Sequence, residues 1–140
     1  MRKVTEFMKQ FEQASEFVKV DIDHATKTYE GMIDQGIAVV MVLEHEKKLI
    51  GSLGFIVADD LHSGDKMTVE TFWFTDPKKR GHGLMLLEVY EEYSKKIGSK
   101  KIAMVHMTDS YPERLEKLYI KRGYKLIEKH YVKDLKNERY

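Results

Sequence analysis

The sequence has no cysteine, only two prolines in 140 residues, and no long apolar run. Without cysteine, the chain can have no disulfide framework, no thiolate metal site and no cysteine nucleophile. Pro77 and Pro112 lie far apart and no Gly/Ser-rich linker or repeat divides the chain, so we expect one domain over residues 1–140. No stretch reaches the ~18 apolar residues of a membrane span, and the charged N-terminus lacks the apolar core of a signal peptide. We therefore expect a cytoplasmic protein with no membrane partner.

The sequence also has little net charge. Its 24 lysines and arginines nearly balance 23 aspartates and glutamates, which leaves +1 at pH 7. Such a chain has no general attraction for nucleic acid, so we expect no nucleic acid partner; only the basic run at residues 78–80 and the lysine-rich end of the chain would favour one. The histidines show no metal-ligand spacing, and we predict no metal site.

The most informative stretch runs from Lys78 to Gly98 and reads KKRGHGLMLLEVYEEYSKKIG. Gly81 and Gly83 allow a ligand to approach the backbone closely, and three cations precede them. The first N–H groups of a helix lack partners within the helix, and the helix dipole is positive there. Because the strand-like run Met67–Phe74 comes before it, the strand–loop–helix order predicts a pyrophosphate-binding site. The alternative is a basic, solvated turn before a surface helix.

Hydrophobic periodicity and turn residues predict the other elements. Four helices are predicted: residues 3–14, Ala25–Asp34, the stretch that ends at Gly98, and Glu113–Arg122. Asp23 is the predicted cap of the second helix, and Ser110 with Glu113 forms a predicted capping box for the fourth. Strands are predicted over Phe17–Val20, Ile37–Glu44, Leu49–Ala58, Met67–Phe74, Lys101–Met107 and Tyr124–Val132. A regular alternation along Met67–Phe74 would place Glu70 and Phe72 on the same face. We expect Gly51 and Gly54 to loosen the strand in which they lie.

Two motifs resemble those of the GNAT N-acetyltransferase superfamily. The run Lys78-Lys79-Arg80-Gly81-His82-Gly83 resembles its pyrophosphate loop, which has arginine or glutamine first, glycine fourth and glycine or alanine sixth; here lysine stands at the first position. The GxGxxG nucleotide loop does not fit, because Leu86 stands where its last glycine is required. Residues 118–124, Leu-Tyr-x-x-x-Gly-Tyr, are similar to the family's LYxxxGF. The predicted order of elements also matches, and the resemblance covers nearly the whole chain, closest to small phage and bacterial members.

The resemblance implies a single-domain α/β (α+β) GNAT fold. Its mixed, mostly antiparallel sheet would have six to seven strands, splayed between the fourth and fifth, with about four helices. The implied activity is that of an acetyl-CoA-dependent N-acetyltransferase, which moves an acetyl group to a primary amine by direct attack in a ternary complex. Acetyl-CoA is then a co-substrate, and the partner is a small-molecule or peptide amine. A homodimer is one open option, and the location is the host cytoplasm if the chain is phage-encoded.

The resemblance also assigns residues to acetyl-CoA. Backbone groups of Trp73, Phe74 and Thr75 would bind the pantetheine arm as though it were a further strand. The pyrophosphate would lie on the segment that comprises Lys78, Lys79, Arg80, Gly81, His82, Gly83, Leu84 and Met85. For the side chains of Trp73 and Phe74, packing in the core is the alternative.

Three residues are candidates for the chemistry. Glu70 is a carboxylate in an otherwise apolar strand, and GNAT proteins with a glutamate there use it to remove a proton from the amine; the alternative is an edge glutamate paired with a lysine. His106 is the second candidate base, unless it is a core histidine bonded to backbone. Tyr119 matches the family's tyrosine near the thioester sulfur, where it would assist the leaving thiolate, unless it only packs in its helix.

One departure from the family bears on turnover. GNAT proteins often have an asparagine seven residues before the motif tyrosine, where this chain has Pro112. That contact to the pantetheine would be absent, or supplied by Asp109 or Ser110. A non-catalytic acyl-CoA-binding or interaction protein of the same fold is therefore the alternative function.

An acidic loop could attract a cationic amine or simply be solvated, and its carboxylates are Asp59, Asp60 and Asp65.

Overall fold

The computed structural model describes residues 21–105 and 112–135. Its helices are α1 (Ile22–Asp34), α2 (Gly83–Lys96) and α3 (Pro112–Lys121), with a 3₁₀ helix over Pro77–His82 before α2. Its strands are β1 (Ala38–His45), β2 (Lys48–Asp59), β3 (Lys66–Thr75) and β4 (Lys101–Ala103). The predicted helix over residues 3–14, the predicted strand Phe17–Val20 and the predicted cap Ser110 lie outside the described residues. The chain divides into two compact units, Met1–Ser110 and Tyr111–Tyr140, and α3 belongs to the second.

The four described strands form one mixed sheet in the order β1-β2-β3-β4. The pairs β1–β2 and β2–β3 are antiparallel, while β3 and β4 are parallel because α2 carries the chain back between them. An α/β fold with a mixed sheet is thus confirmed, whereas a sheet of six to seven strands is not confirmed by the described residues. Glu46 and Lys47, with φ of 50° and 64°, form the tight turn between β1 and β2 that the charged sequence there predicts.

The helix α1 begins earlier than predicted. The Asp21 carboxylate accepts a hydrogen bond from the His24 N–H at 3.0 Å, so Asp21 caps the helix and the prediction of Asp23 as the cap was wrong. Either aspartate suits an N-cap, but Asp23 lies in the first turn, where the helix dipole favours its negative charge. The helix ends before Gly36 as predicted, since the φ of 75° at that residue favours glycine.

A bulge in β3 changes which of its side chains share a face. Phe55 of β2 pairs with Glu70, and the preceding residue Gly54 pairs with Phe72, so Thr71 is an extra residue in β3. Glu70 therefore lies on the same face as Phe55, and Phe72 lies on the opposite face. The regular alternation predicted for this strand was wrong, because the pattern within one strand does not reveal a shift in its pairing with another.

A helix covers each face of the sheet. On one face, the Tyr29 ring of α1 meets the buried Phe72 ring edge-on, with 5.5 Å between ring centroids. On the other face, Phe55 packs against Tyr90 of α2, with 4.7 Å between centroids. Partly buried apolar residues complete the cluster around Phe72, namely Ile22, Ala25, Ile33, Val40 and Leu49. The bulge thus directs Phe72 toward α1 and Glu70 toward the side of α2.

Gly54 is required for close packing rather than for flexibility. A Cβ atom there would lie 2.3 Å from the ring of Phe72, which is buried and cannot move aside. We expect Gly54→Ala to lower the free energy of unfolding by about 1–3 kcal/mol, the usual cost of overpacking. The control is Gly31→Ala at an exposed position of α1, where the new methyl group has no packing neighbour within 4 Å. Its free energy of unfolding should rise by up to about 1 kcal/mol. Urea unfolding measures both changes, and a Gly54→Ala protein as stable as the parent would contradict this packing.

The last predicted strand is not formed. Residues 124–134 are neither helix nor strand, so the prediction of a strand over Tyr124–Val132 was wrong. Apolar alternation indicates a strand only if a neighbouring strand is there to pair with it, and no such pairing exists among the described residues of the second unit. The helix α3 agrees closely with its predicted range. It begins at Pro112, because proline suits the first helical position, where an N–H has no partner in the helix.

Candidate active site

The strands β3 and β4 separate after three residue pairs. Their pairing runs from Met67 with Lys101 to Val69 with Ala103 and ends there. The next part of β3, residues 70–75, pairs with β2 and has no strand beside its other edge in the described sheet. We call this point of separation the fork. Such an open edge offers backbone hydrogen-bonding groups to an extended ligand.

Glu70 is the first residue of β3 beyond the fork, and only 5% of its surface is exposed. Its carboxylate accepts a hydrogen bond from the backbone N–H of Val105, just past β4. Burial raises the pKa of Glu70 from 4.5 to about 8, and the bond from Val105 opposes that rise because it stabilises the charged form. The alternative of an edge glutamate paired with a lysine does not fit this burial, and no lysine is among the described groups that shift the pKa of Glu70.

Two tyrosines, one from each covering helix, lie within electrostatic reach of Glu70. Burial and, to a smaller extent, the negative charge of Glu70 raise the pKa of Tyr90 on α2 and of Tyr29 on α1. Both hydroxyls therefore stay protonated at neutral pH. Because the pKa of Glu70 is about 8, this carboxyl can release and accept a proton near neutral pH, as a general acid or base must.

The start of α2 has the features of an anion site. The 3₁₀ helix Pro77–His82 runs directly into α2, so the predicted glycine loop is a tight helical turn. The side chain of the N-cap residue His82 makes no capping hydrogen bond, and the first turn of α2 carries no acidic residue. The Asp76 carboxylate holds this turn by accepting from the Lys78 N–H at 2.9 Å. With no capping side chain on them, the first N–H groups and the positive end of the helix dipole suit a phosphate group.

The two glycines of this turn have different roles. Gly83 is buried, and a Cβ atom there would lie 2.5 Å from the Thr75 Oγ1, so glycine is needed to seat α2 on the end of β3. Gly81 is exposed, and a Cβ atom there would meet nothing within 4 Å. Packing within the folded chain therefore does not require glycine at position 81. Glycine would be required there if a ligand approaches the backbone closely.

The three residues predicted to bind the pantetheine arm lie at the end of β3. Thr75 is buried against Gly83, so the predicted pantetheine and pyrophosphate segments meet at this contact. Trp73 shares a face with its paired residue Leu53, and its indole N–H is buried without a hydrogen-bond partner among the described residues. The Trp73 and Phe74 side chains are both half-buried, and the binding of pantetheine by the backbone of this segment stays a prediction.

The sequence of nearly the whole chain matches a known family. A family model described as acetyltransferase (GNAT) family covers residues 1–124. The chain belongs to the GNAT family. This membership confirms the resemblance of the two motifs, and GNAT proteins use acetyl-CoA for acetyl transfer. No curated protein matches the chain.

Solved structures share the fold at low sequence identity. A predicted acetyltransferase from Clostridium acetobutylicum, solved with acetyl-CoA, has a TM-score of 0.75 at 17% identity, covering 99% of this chain and 92% of its own. The ribosomal-protein-alanine N-acetyltransferase of Brucella melitensis has a TM-score of 0.68 at 18% identity, covering 94% and 92%. The glucosamine-6-phosphate N-acetyltransferase of Arabidopsis thaliana has a TM-score of 0.71 at 18% identity, covering 95% and 91%. These likenesses show the GNAT fold and leave the acceptor undecided.

The other two candidate catalytic residues are Tyr119 and His106. Tyr119, the tyrosine of the second GNAT motif, is on α3 in the second unit and is 8% exposed. Its ring lies 5.6 Å from that of Tyr124, the last residue of the motif. His106 lies outside the described residues, so its role as second candidate base stays a prediction.

The acidic loop between β2 and β3 uses one of its carboxylates structurally. Asp60 accepts hydrogen bonds from the Lys101 Nζ at 2.8 Å and from the His62 N–H at 2.8 Å. The Lys101 bond, followed by those from the loop backbone, lowers the pKa of Asp60 to about 2. Asp60 therefore ties the loop to β4, and this role accounts for its charge without an amine ligand.

A buried polar network beside Glu70 was not predicted from the sequence. The Thr68 and Ser94 hydroxyl oxygens, from β3 and α2, lie 2.7 Å apart, and both residues are fully buried. On the same helix face, the Tyr90 hydroxyl donates to the Ala103 carbonyl oxygen at 3.1 Å. The sequence did hold a signal, because Ser94 follows Tyr90 by four residues on the apolar stripe of α2, where a hydroxyl needs a partner.

Across residues 21–105 and 112–135, no group of histidine, aspartate and glutamate side chains is arranged to hold a metal ion. None of the helices in that part of the chain is both long and apolar enough to cross a membrane. The prediction of no metal site stays a prediction for the chain as a whole.

Proposed function

We propose that this GNAT protein is an acetyl-CoA-dependent N-acetyltransferase, which moves the acetyl group to a primary amine by direct attack in a ternary complex. The observation that carries the proposal is the buried carboxylate of Glu70 at the fork. A buried carboxylate costs stability unless it is paired or has a function. This one lies where the open edge of β3 begins, on the strand that leads to the anion site of α2.

The proposed reaction transfers one proton and one acetyl group. The amine nitrogen bonds to the acetyl carbon, the carbon–sulfur bond breaks, and its electron pair leaves with the sulfur of CoA. Glu70 takes the proton of the attacking amine, directly or through a water molecule. Its pKa of about 8 makes it basic enough to hold that proton while part of the population is ionised at neutral pH. Tyr119 would protonate the leaving thiolate, and His106 is the alternative base.

The chain would bind acetyl-CoA through two backbone regions. Acetyl-CoA itself supplies the thioester that the amine attacks. The open edge of β3 at Trp73–Thr75 would take the pantetheine arm, and the start of α2 would take the pyrophosphate. The residues proposed at the pyrophosphate are Lys78, Lys79, Arg80, Gly81, His82, Gly83, Leu84 and Met85. Of these, Gly83 also has the packing role against Thr75 described above.

The acceptor in this proposal is a small-molecule or peptide amine, and residues 1–140 act as one domain. The names of GNAT proteins of the same fold specify different acceptors, an alanine of a ribosomal protein in one and glucosamine-6-phosphate in another. The fold therefore does not select the acceptor. The Brucella and Arabidopsis proteins each align with more than nine-tenths of this chain, which supports treating both units as parts of one GNAT domain.

A non-catalytic acyl-CoA-binding protein is the second candidate, and one observation favours it. Pro112 replaces the asparagine that GNAT proteins often have before the motif tyrosine, and it is the first residue of α3. Proline has no side-chain amide with which to bond the pantetheine. A binder of this kind would take acetyl-CoA at the same two backbone regions without turnover.

A thiol-release screen distinguishes the two candidates. The protein is incubated with acetyl-CoA and, in turn, a peptide with a free α-amine, a lysine peptide, a polyamine and an aminoglycoside. We expect at least one class to release CoA well above the rate without acceptor, and mass spectrometry should find the acetyl group on the amine nitrogen. Calorimetric binding of acetyl-CoA with no release in any class would favour the non-catalytic binder.

A further inference from the structure

The Tyr90 hydroxyl lies at the fork. Tyr90 is fully buried in α2, and its hydroxyl donates to the Ala103 carbonyl oxygen at 3.1 Å. Ala103 is the last residue of β4 and pairs with Val69, the last residue of β3 before the strands part. This hydrogen bond therefore attaches the helix to β4 at the point where its pairing with β3 ends.

Other buried groups hold Tyr90 in place. The Phe55 ring packs against the Tyr90 ring at 4.7 Å, and the Thr68 hydroxyl lies beside the Tyr90 oxygen. Thr68 is bonded in turn to Ser94, one helical turn after Tyr90, at 2.7 Å. A buried hydroxyl loses its hydration and must be paired with a protein group to avoid a free-energy cost. These pairings hold the position of α2 on both strands of the fork.

The position of Ala103 bears on Glu70 through the next two residues. Val105 follows Ala103 by two positions and donates its backbone N–H to the Glu70 carboxylate. Beyond Ala103 the chain is no longer held by pairing with β3. Together with the pairing of Ala103 with Val69, the hydrogen bond from Tyr90 anchors the chain two residues before Val105.

We propose that the Tyr90 hydroxyl is a positioning group, which holds the end of β4 so that the Val105 N–H meets the Glu70 carboxylate. The structural part of this proposal concerns only the free protein, and its consequence for catalysis rests on the proposed function. Among the described residues, the ionisable groups that act on Glu70 from the packed helices are Tyr90 itself on α2 and Tyr29 on α1. Both are neutral near neutral pH, so the hydrogen bond from Val105 is the contact that changes when Tyr90 is altered.

The test measures the Glu70 carboxyl directly. In Tyr90→Phe the end of β4 loses its anchor to α2, the Val105 bond weakens, and the pKa of Glu70 rises, because that bond favours the ionised form. We expect a rise of about 1 in pKa, a tenfold change in the ionisation constant, for the loss of one hydrogen bond to a charged group. Carbon-13 NMR of carboxyl-labelled glutamate in the protein without ligand, assigned with Glu70→Gln, measures this pKa.

Controls separate positioning from a general loss of packing. Tyr93→Phe removes a hydroxyl from the other tyrosine ring that packs on Phe55 and should leave the pKa of Glu70 unchanged. Placing 4-aminophenylalanine at position 90 restores an N–H donor and should restore the parent pKa. If Tyr90→Phe does not fold, 4-fluorophenylalanine at position 90 fills the space of the hydroxyl without donating, and the same rise is expected.

An unchanged pKa of Glu70 in a folded variant without the donor would overturn the proposal. A rise that 4-aminophenylalanine fails to reverse would also overturn it. Neither measurement requires turnover, so the positioning role can hold in a protein that transfers no acetyl group. If the protein is active, the acidic limb of its pH–rate profile should move to higher pH in Tyr90→Phe by the same amount. If Tyr90→Phe is active and the acidic limb of its pH–rate profile does not move, the positioning role of Tyr90 is refuted while the proposed function stands.

Discussion

Replacing Glu70 with glutamine is expected to lower turnover by about 10²–10⁴-fold, the usual contribution of a general base. Glutamine keeps the shape of the side chain but cannot accept the proton of the amine. The acidic limb of the pH–rate profile, with an apparent pKa of about 8 in the parent, should therefore disappear. Affinity for acetyl-CoA should stay within about twofold, because Glu70 is not among the residues proposed to bind it. Steady-state kinetics across this pH range and calorimetric titration measure the two effects.

The same variant has a stability readout that does not depend on activity. The pKa of Glu70 is raised on folding, from 4.5 to about 8, so the folded state binds the proton more tightly than the unfolded state. Stability of the parent should therefore fall as pH rises from about 4.5 to 8, by on the order of 5 kcal/mol from this group. Glutamine does not ionise, so the stability of Glu70→Gln should lack this fall with rising pH. The variant should be more stable than the parent above pH 8, as urea unfolding at several pH values would show.

Glu88→Gln is the matched control for both measurements. Glu88 is exposed on α2, so its substitution makes the same change of charge without altering a buried group. It should leave turnover and the pH dependence of stability as in the parent. Full activity in Glu70→Gln, with loss of activity in His106→Ala, would refute Glu70 as the base and transfer that role to His106.

Gly81→Val is expected to weaken acetyl-CoA binding by about 10–100-fold without changing the stability of the fold. A Cβ atom at this position meets nothing within 4 Å beyond its chain neighbours, so we expect the folded chain to accept valine. The same side chain would stand where a pyrophosphate must approach the backbone N–H groups at the start of α2. Calorimetric titration gives the affinity, and thermal unfolding without ligand gives the stability.

Gly83→Val is the informative contrast. A Cβ atom there would clash with the Thr75 side chain at 2.5 Å, so this variant should lose both stability and binding. A loss of affinity in Gly83→Val therefore cannot by itself indicate a ligand site, whereas a loss in Gly81→Val can. Unchanged affinity in Gly81→Val would refute the assignment of the pyrophosphate to this turn.

Several features of the fold could be predicted from short stretches of the sequence. The ends of α1 and α2 follow from Gly36 and Gly98, whose φ values of 75° and 80° favour glycine. The strand–turn–helix order around Gly81 and Gly83, with its family resemblance, predicted the GNAT family, and the anion site at this turn stays a prediction. The helix ends and the family were predicted correctly because they depend on a few residues close together in the chain.

Pairing between distant segments was predicted less well. The strand over Tyr124–Val132 was predicted from alternation that could not show whether a partner strand exists. Gly54 was interpreted as a flexible position, although it is glycine because the Phe72 ring occupies the space beside it. The bulge at Thr71 was missed because it is a mismatch between the pairing of two strands and cannot be read from either strand alone.

The sequence by itself determined the GNAT family, the basic glycine turn before α2 and the presence of one carboxylate in an apolar strand. Only the tertiary structure decided the surroundings of that carboxylate, and hence its pKa. The bulge directs Glu70 to the face covered by α2, the fork ends its strand pairing on one side, and the Val105 N–H, just past β4, donates to it. The pKa of Glu70 depends on its distance from water and on the donor that faces it, and both are set by segments far away in the chain.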